Sequence, residues 1–352
     1  MHKNNFDFLR LLFAILVVIH HCYPIAGVSE QDPLYYYSNH SLSFSYLGVR
    51  GFFVISGYLI FQSLFRSKNI LDYLVKRMLR IYPALIVVLI LSVFFCSFVY
   101  EGTWFSYFKN KSMWTYIPIN LSLIKLQYAI KGVFENNPLK GAINGSLWTI
   151  IYEISMYLFI IPFLLIKNFS QKNKTYILLI VLIVLYIARF SFTKYSHLHI
   201  GALSFGQWIH FSILFMSGAF LSVVNIEKFE YRYWLLVICT VLFFVTISQP
   251  YFDTLQYIIM PLMVIIIGAA SLKGINSIGG KFGDVSYGVY IYGFPIQQFL
   301  MYYFSLSITG LLLLSIPLSI FFGWLSWHLI EKNALANKKK VYQILANLFK
   351  LK

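Results

Sequence analysis

Long apolar runs separated by short polar segments repeat along the whole 352-residue chain. A helix needs about 20 mostly apolar residues to cross the hydrocarbon core of a bilayer. The apolar windows predict ten membrane-spanning helices, at residues 9–25, 47–65, 81–100, 146–166, 175–191, 205–225, 233–249, 254–272, 286–304 and 308–330. Sequence repeats of about 20 to 50 residues are not evident, so we predict one all-α polytopic helix bundle.

Two segments outside these windows are amphipathic. Residues 113–134 are interrupted by Pro118, Lys125 and Lys131, which indicates an interfacial or re-entrant segment and not an eleventh span. Residues 336–352 form a basic tail in which three lysines precede an amphipathic stretch, so we expect this tail to lie on the membrane surface. The membrane domain accordingly covers residues 1–335.

The composition agrees with a membrane protein, since 59% of the residues are hydrophobic, 11% are charged and the mean hydropathy is +0.72. The net charge of +16 does not indicate a nucleic-acid-binding protein, because the cations lie between apolar runs and form no separate basic domain. With a cytoplasmic N-terminus, 20 of the 28 cations fall on the inner side. The positive-inside rule therefore predicts that both termini are cytoplasmic.

Cysteine and histidine spacings do not predict a metal site or a disulfide framework. The three cysteines, Cys22, Cys96 and Cys239, lie within or beside apolar runs and show no paired spacing. Three histidines, His197, His199 and His210, lie near the outer face, where either a structural role or contact with an acceptor fits the pattern. We expect the structural role.

Ionisable residues inside an apolar span mark a functional site by default, because they are costly there and face the bundle interior. Arg10 and His21 both lie in the first run, eleven residues apart. That spacing is three helical turns plus roughly 20°, so the two side chains share one helix face about 16 Å apart. Histidine is suited to general base catalysis near neutral pH, and the pair is our candidate catalytic centre. The alternatives are a structural histidine and an arginine that extends to the membrane surface.

The second run contributes two further candidates. Arg50 is predicted at its outer end, at a depth similar to that of His21, where it would stabilise an oxyanion, hold an acceptor or anchor the helix at the interface. Ser56 offers a hydroxyl within the span, but small residues in membrane helices more often serve helix packing.

A basic cluster precedes the third run on the predicted cytoplasmic side. Lys76, Arg77 and Arg80 lie within five residues of one another, and arginine forks suit phosphate groups. The cluster therefore predicts a phosphate or nucleotide site, although the positive-inside rule alone explains one or two of these charges.

The fourth run contains the one carboxylate that lies deep within a predicted span, Glu153. By helical rise it lies roughly 12 Å from the outer end, so it must be paired or protonated. Orienting a histidine, pairing with an arginine and a purely structural pairing all remain open.

Taken together, these motifs resemble the membrane acyltransferase type 3 family in order and spacing over nearly the whole chain. The motifs are Arg10 with His21, Gly48-Val with Phe52-Phe-Val-Ile-Ser-Gly57, Arg77 with Arg80-Ile and Pro83, Gly145-Ser-Leu-Trp with Glu153, and Ser286-Tyr-Gly-Val-Tyr-Ile-Tyr with Pro295. Arg50 and Gly293 depart from the family pattern, in which many members have an acidic residue and a histidine, respectively. The departures imply a different sugar partner.

The resemblance implies an O-acyltransferase, most commonly one that moves acetyl from cytoplasmic acetyl-CoA to a surface polysaccharide or other glycan. By the family's motifs, His21, Arg10 and Glu153 would serve catalysis, and Arg77 and Arg80 would bind the acyl-CoA together with the neighbouring Lys76. The acceptor or oxyanion would contact Arg50, Ser56, Trp148 and Tyr152. We expect no bound cofactor or metal, acyl-CoA and a carbohydrate as partners, and a location in the bacterial cytoplasmic membrane. A transporter or flippase for a lipid-linked sugar or small anion is the alternative, and a membrane sensor is a weaker one.

Overall fold

The computed structural model describes residues 4–191, 198–272, 274–276 and 282–348. Most of these residues are helical. One hairpin pairs two short antiparallel strands, β1 (His199–Ile200) and β2 (Leu203–Ser204). The helices are α1 (Phe6–Ile25), α2 (Pro33–Tyr37), α3 (Phe44–Arg66), α4 (Ile70–Cys96), α5 (Trp104–Lys109), α6 (Lys111–Ser122), α7 (Trp148–Phe159), α8 (Gln171–Ser191), α9 (Phe205–Val224), α10 (Arg232–Thr246), α11 (Phe252–Ala269), α12 (Ser286–Phe304), α13 (Ile308–Ser326), α14 (Lys332–Ala336) and α15 (Lys338–Leu348).

Each of the ten predicted spans coincides with a helical segment. Eight segments in the described part of the chain are long and apolar enough to cross a membrane. Helix α10 is shorter, at 15 residues. Helix α12 has 19 residues, but its five tyrosines and two glutamines lower its hydropathy. The expectation of a polytopic all-α membrane protein is thus confirmed. Two of the ten segments, α10 and α12, are shorter or less apolar than a typical membrane-spanning helix.

The boundaries differ most at the third span. The apolar window begins at residue 81, whereas α4 begins at Ile70 and includes the basic cluster within its first three turns. The side chain of Asn69 caps this helix, because its Oδ1 accepts a hydrogen bond from the Asp72 N–H at 2.9 Å. Hydrophobic windows do not detect such a cap, so the prediction placed Lys76, Arg77 and Arg80 before the helix and was wrong there.

Residues 113–134 do not form an eleventh span. Helix α6 covers the first part of this segment and has 12 residues, which corresponds to about 18 Å. It ends at Leu123 in the left-handed backbone region, with φ of 53°, and the chain continues without a regular helix to the turn Gly145–Leu147. The length of α6 is too short for a membrane crossing.

The chain divides into two compact units. The first comprises residues 1–17, 30–66 and 151–281. Helices α3 and α9 pack tightly within it, because Gly57 and Gly218 leave no side chain between them. A Cβ atom on Gly57 would overlap the backbone of Phe215, and one on Gly218 would overlap the carbonyl oxygen of Val54. Such small-residue contacts allow membrane helices to approach closely.

The second unit comprises residues 18–29, 67–150 and 282–352. Helices α12 and α13 lie side by side, and a Cβ atom on Gly288 would lie 2.7 Å from Gly323 Cα. The amphipathic tail forms α15, which packs against α4, with the Asn69 side chain donating to the Tyr342 hydroxyl at 3.0 Å. The last residues of the predicted tail, 349–352, lie outside the described residues.

Candidate active site

Arg10 and His21 lie on one continuous helix. Helix α1 runs without interruption from Phe6 to Ile25, and both side chains are partly buried. The helical spacing that placed the two side chains on one face therefore applies. No break separates the pair.

The His21 imidazole packs edge-on against the ring of Phe294 in α12. The two ring centroids are 5.0 Å apart and the planes are inclined by 78°. The Nδ1 atom of His21 is buried and has no hydrogen-bond partner among the described residues. The neighbouring imidazole of His20 lies 6.0 Å away. His21 thus presents a ring nitrogen that the described part of the protein leaves available.

The turn Gly145–Leu147 reaches the same phenylalanine. A Cβ atom on Gly145 would lie 2.5 Å from the ring of Phe294, so only glycine fits at this position without a shift of the ring. Asn144 holds the turn, because its Nδ2 donates to the carbonyl of Ile291 at 2.9 Å and its Oδ1 accepts from the Ser146 N–H at 3.0 Å. Ser146 Oγ is buried and lacks a hydrogen-bond partner among the described residues.

Gln297 lies one turn further along α12 and is fully buried. Its Nε2 donates to the Val18 carbonyl at 2.7 Å and to Cys22 Sγ at 3.0 Å, while its Oε1 has no hydrogen-bond partner in the described chain. Unsatisfied buried polar atoms are costly, so three of them, on His21, Ser146 and Gln297, in segments that meet at Phe294 or continue from it, indicate a ligand site. The sequence analysis did not single out Gln297. It quoted Ser146 within a motif without giving it a role.

The basic cluster on α4 is engaged with carboxylates. Arg80 donates through Nη1 to Glu331 Oε2 at 2.7 Å and through Nη2 to Asp284 Oδ2 at 2.6 Å. Lys76 donates to Asp72 Oδ2 at 2.7 Å. Neither Asp284 nor Glu331 was expected from the sequence.

Glu331 is fully buried and lies in a π-helical turn, Trp327–Glu331, that follows α13. Its second oxygen accepts from the Ser326 hydroxyl at 2.9 Å, and Asp284 similarly accepts from the Ser286 hydroxyl at 2.7 Å. The carboxylates are thus held in place by their own neighbours. Arg77, one turn before Arg80, is partly buried.

The residues expected on the fourth span lie on α7. Glu153 is partly buried and accepts a hydrogen bond from the hydroxyl of Tyr157, one turn further along the helix. The Tyr152 hydroxyl accepts from the Ser204 N–H at 2.9 Å, and its ring centroid lies 5.2 Å from that of Phe211. Trp148 is the first residue of α7 and is partly buried.

The candidates on α3 differ in their surroundings. Arg50 is buried, with 8% of its surface exposed, and donates to the side chain of Gln256 at 2.7 Å. Ser56 is partly buried in the middle of the helix. Among the outer histidines, His199 is exposed on β1, His210 bonds to Tyr257, and His197 lies outside the described residues.

The cysteines Cys22, Cys96 and Cys239 are free and buried. In the described ranges, no group of three or more histidine, cysteine or acidic side chains is arranged to hold a metal ion.

Comparison with known proteins supports the enzyme interpretation over the transporter. Residues 3–328 match the family described as "Acyltransferase domain". The chain is 28% identical to an O-acetyl transferase of Shigella phage Sf6 over 351 residues, which cover 95% of this chain and 97% of the phage protein. It is 34% identical to Nodulation protein 10 of Rhizobium leguminosarum bv. viciae over 179 residues, which cover 45% and 43% of the two chains. No solved structure matches it significantly. The protein therefore belongs to the acyltransferase family, as a multi-pass membrane O-acetyltransferase.

Proposed function

We propose that this enzyme takes an acetyl group from cytoplasmic acetyl-CoA and transfers it to a hydroxyl of a surface polysaccharide or another glycan, with His21 as the general base. The observation that carries the proposal is the buried Nδ1 atom of His21, which has no hydrogen-bond partner among the described residues. A general base needs such a nitrogen, because a lone pair already engaged by a protein donor cannot accept a proton from the substrate.

The reaction is an acyl transfer from a thioester to an oxygen. His21 takes the proton of the acceptor hydroxyl while the oxygen attacks the thioester carbonyl carbon. A C–O bond forms, the C–S bond breaks, and the CoA thiolate recovers the proton from the imidazolium, so that the products are an ester and CoA. The edge contact with Phe294 restricts the tilt of the imidazole, and a fixed geometry is worth several kcal/mol in such a reaction.

Arg10 and Glu153 support this centre in the proposal. Arg10 is the cation of the α1 pair and would stabilise negative charge on the donor. Glu153, held by the Tyr157 hydroxyl, would act on the acceptor side with Trp148 and Tyr152. A route through an acyl-enzyme on His21 or Ser56 is the alternative, and labelled acetyl-CoA without acceptor would leave label on the protein only by that route.

The phosphates of CoA would contact the basic cluster on α4. Lys76, Arg77 and Arg80 lie in the half of α4 that the positive-inside rule places on the cytoplasmic side. Arg80 also binds the carboxylates of Asp284 and Glu331. In the proposal it contacts the donor phosphates in addition to these carboxylates. The similar proteins come from a bacteriophage and from a bacterium, and this origin supports the bacterial cytoplasmic membrane as the location.

The test is acetyl transfer from labelled acetyl-CoA in membranes that contain the full chain. We expect His21→Ala to lower the rate by at least about a hundredfold and Arg10→Ala to lower it clearly, whereas His20→Ala serves as the matched control and retains activity. Protein abundance in the membrane is measured for each variant. Parental rates in both the His21 and the Arg10 variants would overturn the proposed centre.

Mass spectrometry of the surface polysaccharide with and without the gene provides a second readout. Loss of an ester of fixed mass from an otherwise intact polymer supports the transferase. Loss of the whole polymer would contradict it and would support transport.

A further inference from the structure

A buried polar network occupies one end of the first unit. Its centre is Gln256 of α11, which is fully buried. The Oε1 atom of Gln256 accepts from Arg50 Nη1 at 2.7 Å and from the Tyr46 hydroxyl at 2.6 Å, and its Nε2 donates to Asp253 Oδ1 at 2.9 Å. The amide orientation is therefore fixed, and with it the position of Arg50, whose guanidinium carbon lies 3.5 Å from the centre of the Tyr46 ring.

A second arginine enters the network from α8. The side chain of Arg189 is only 8% exposed and pairs through Nη2 with Asp253, whose own side chain is 60% exposed. The other terminal nitrogen, Nη1, is buried and has no hydrogen-bond partner in the described part of the chain. A buried guanidinium N–H without an acceptor is costly, so this atom indicates a ligand.

Tyr257 lies between the two arginines. The guanidinium carbons of Arg50 and Arg189 are 5.8 and 5.0 Å from the centre of its ring, and its hydroxyl bonds to Nδ1 of His210 in α9. Arg50 Nη1 also lies 3.4 Å from that hydroxyl. Three helices, α3, α8 and α9, thus direct polar groups toward one phenol on α11.

The charges of this network do not balance. The contacts around Tyr257 bring together two arginines, Arg50 and Arg189, and one carboxylate, Asp253, which pairs with Arg189. Because Asp253 is mostly exposed and already bound to Arg189 and Gln256, at least one buried positive charge has no counter-ion among the described residues. Burial of an uncompensated charge costs several kcal/mol, and an anion bound at the site would remove this cost.

The chemistry of the donors identifies the class of anion. Arginine forks match the oxygens of carboxylates and phosphates, and the hydroxyl and imidazole add neutral hydrogen-bonding groups. The network lies within about two turns of the N-termini of α3, α9 and α11. The positive-inside rule places these ends on the extracytoplasmic side, where the glycan acceptor of the proposed function would arrive.

We infer that Arg50, Arg189, His210 and Tyr257 form a binding site for a carboxylate or phosphate group carried by the acceptor glycan. This inference rests on the proposed function for the identity of the ligand, but the anion site itself does not. The site would select acidic acceptors and hold them by their charge while a hydroxyl elsewhere on the same glycan reacts.

The first experiment measures anion binding and needs no activity. The full chain in detergent is titrated with glucuronate, inorganic phosphate and, as the neutral probe, glucose, at constant ionic strength, and thermal unfolding is followed. We expect glucuronate or phosphate to raise the unfolding midpoint. An increase with glucuronate identifies the bound group as the carboxylate of a sugar acid, and an increase with phosphate identifies it as a phosphate. Glucose is expected to have no effect.

Variants then locate the binding. Arg189→Gln and Arg50→Lys should each weaken the apparent affinity for the anion at least tenfold. Arg50 is replaced with lysine because this variant keeps the positive charge, so it remains informative if removing a charge prevents folding. Arg232→Gln is the matched control, because Arg232 belongs to the same unit but bonds to the carbonyl of Glu227. Equal titrations in all variants, or no effect of either anion, would overturn the inference.

The second experiment measures acetyl transfer to an acidic oligosaccharide and to its carboxyl-reduced, neutral counterpart. Arg189→Gln should raise the KM for the acidic acceptor at least tenfold with less than a twofold change in kcat, and should leave the neutral acceptor unaffected. An equal effect on both acceptors would contradict the inference. If the parental enzyme acetylates neither, the proposed function fails, whereas the titrations still decide on the anion site.

Discussion

Arg80 Nη1 lies 2.7 Å from Glu331 Oε2, and the side chain of Glu331 is fully buried. The contact joins the first turns of α4 to the π-helical turn after α13, so it connects two parts of the chain separated by 251 residues. The rings of Tyr287 and Trp327 lie 5.7 and 5.6 Å from the Arg80 guanidinium carbon and enclose it. A motif that the sequence suggests for substrate binding thus also holds the second unit together.

Replacing Glu331 with alanine should therefore destabilise the protein. Arg80 would retain Asp284 but lose its buried partner, and breaking a buried ion pair typically costs about 3 to 5 kcal/mol. We expect a large fall in the thermal unfolding midpoint in detergent, and a smaller fall for Glu331→Gln, which keeps a hydrogen-bonding group. The exposed Glu230 is the control, and Glu230→Ala should leave the midpoint nearly unchanged. Equal midpoints for both alanine variants would refute a structural role of the pair.

The positions of the helices could be predicted from the sequence because the bilayer imposes a length on every span. The apolar windows at residues 205–225 and 286–304 match α9 and α12 within a residue. The predicted start was wrong for α4, whose first turns contain charged residues. The start of this helix depends on the side-chain cap by Asn69. Local chemistry of this kind is not visible in a hydropathy average.

Residues of the candidate sites could be predicted only in part, for a different reason. The Arg10 and His21 pair is a local pattern within one helix, and the helix confirms its continuity. The partners of Arg80 and Arg50 come from distant segments, and Glu331 follows directly after the predicted end of a span, where it resembles an ordinary interfacial charge. Which carboxylate meets which arginine depends on packing between helices, and a single sequence does not specify that.

Gly57→Ala should weaken the packing of α3 against α9. The new methyl group would overlap the backbone of Phe215, which cannot rotate away as a side chain can. Overpacking of this kind costs about 1 to 3 kcal/mol, and we expect a lower unfolding midpoint in detergent. Gly310→Ala is the control, because the nearest atoms to its Cβ lie at 3.5 Å or more. If the unfolding midpoint of Gly57→Ala equals or exceeds that of Gly310→Ala, then α3 and α9 accommodate the added methyl group without loss of stability, which contradicts the prediction.

Tyr116→Phe should stabilise the protein at high pH. The Tyr116 hydroxyl on α6 is buried without a hydrogen-bond partner in the described chain, and burial raises the pKa of this phenol well above its ordinary value of 10. Above about pH 10 the unfolded chain loses this proton while the folded chain keeps it, so the wild-type free energy of unfolding falls with rising pH.

The phenylalanine variant lacks this titration. We expect it to equal or exceed the wild type in stability near pH 8, and the difference should grow by about 1.4 kcal/mol per pH unit above pH 10. Unfolding midpoints in detergent between about pH 8 and 11 provide the measurement. Tyr37→Phe, at a tyrosine that is 79% exposed, should show no such growth. A constant difference across the range for Tyr116→Phe would contradict the burial of the phenol.

Gly145→Ala should lower catalysis through Phe294, without contact between the new methyl group and a substrate. The added Cβ would lie 2.5 Å from the Phe294 ring, and the ring must then move against the His21 imidazole that it supports. A displacement of about 1 Å at a reacting group can cost a hundredfold in rate, so we expect kcat for acetyl transfer to fall by about ten- to a hundredfold at unchanged protein abundance. The smaller side chain in Phe294→Leu should relieve the overlap. The double variant Gly145→Ala with Phe294→Leu should therefore be more active than Gly145→Ala alone, and purely additive losses would show that the glycine and the ring act independently.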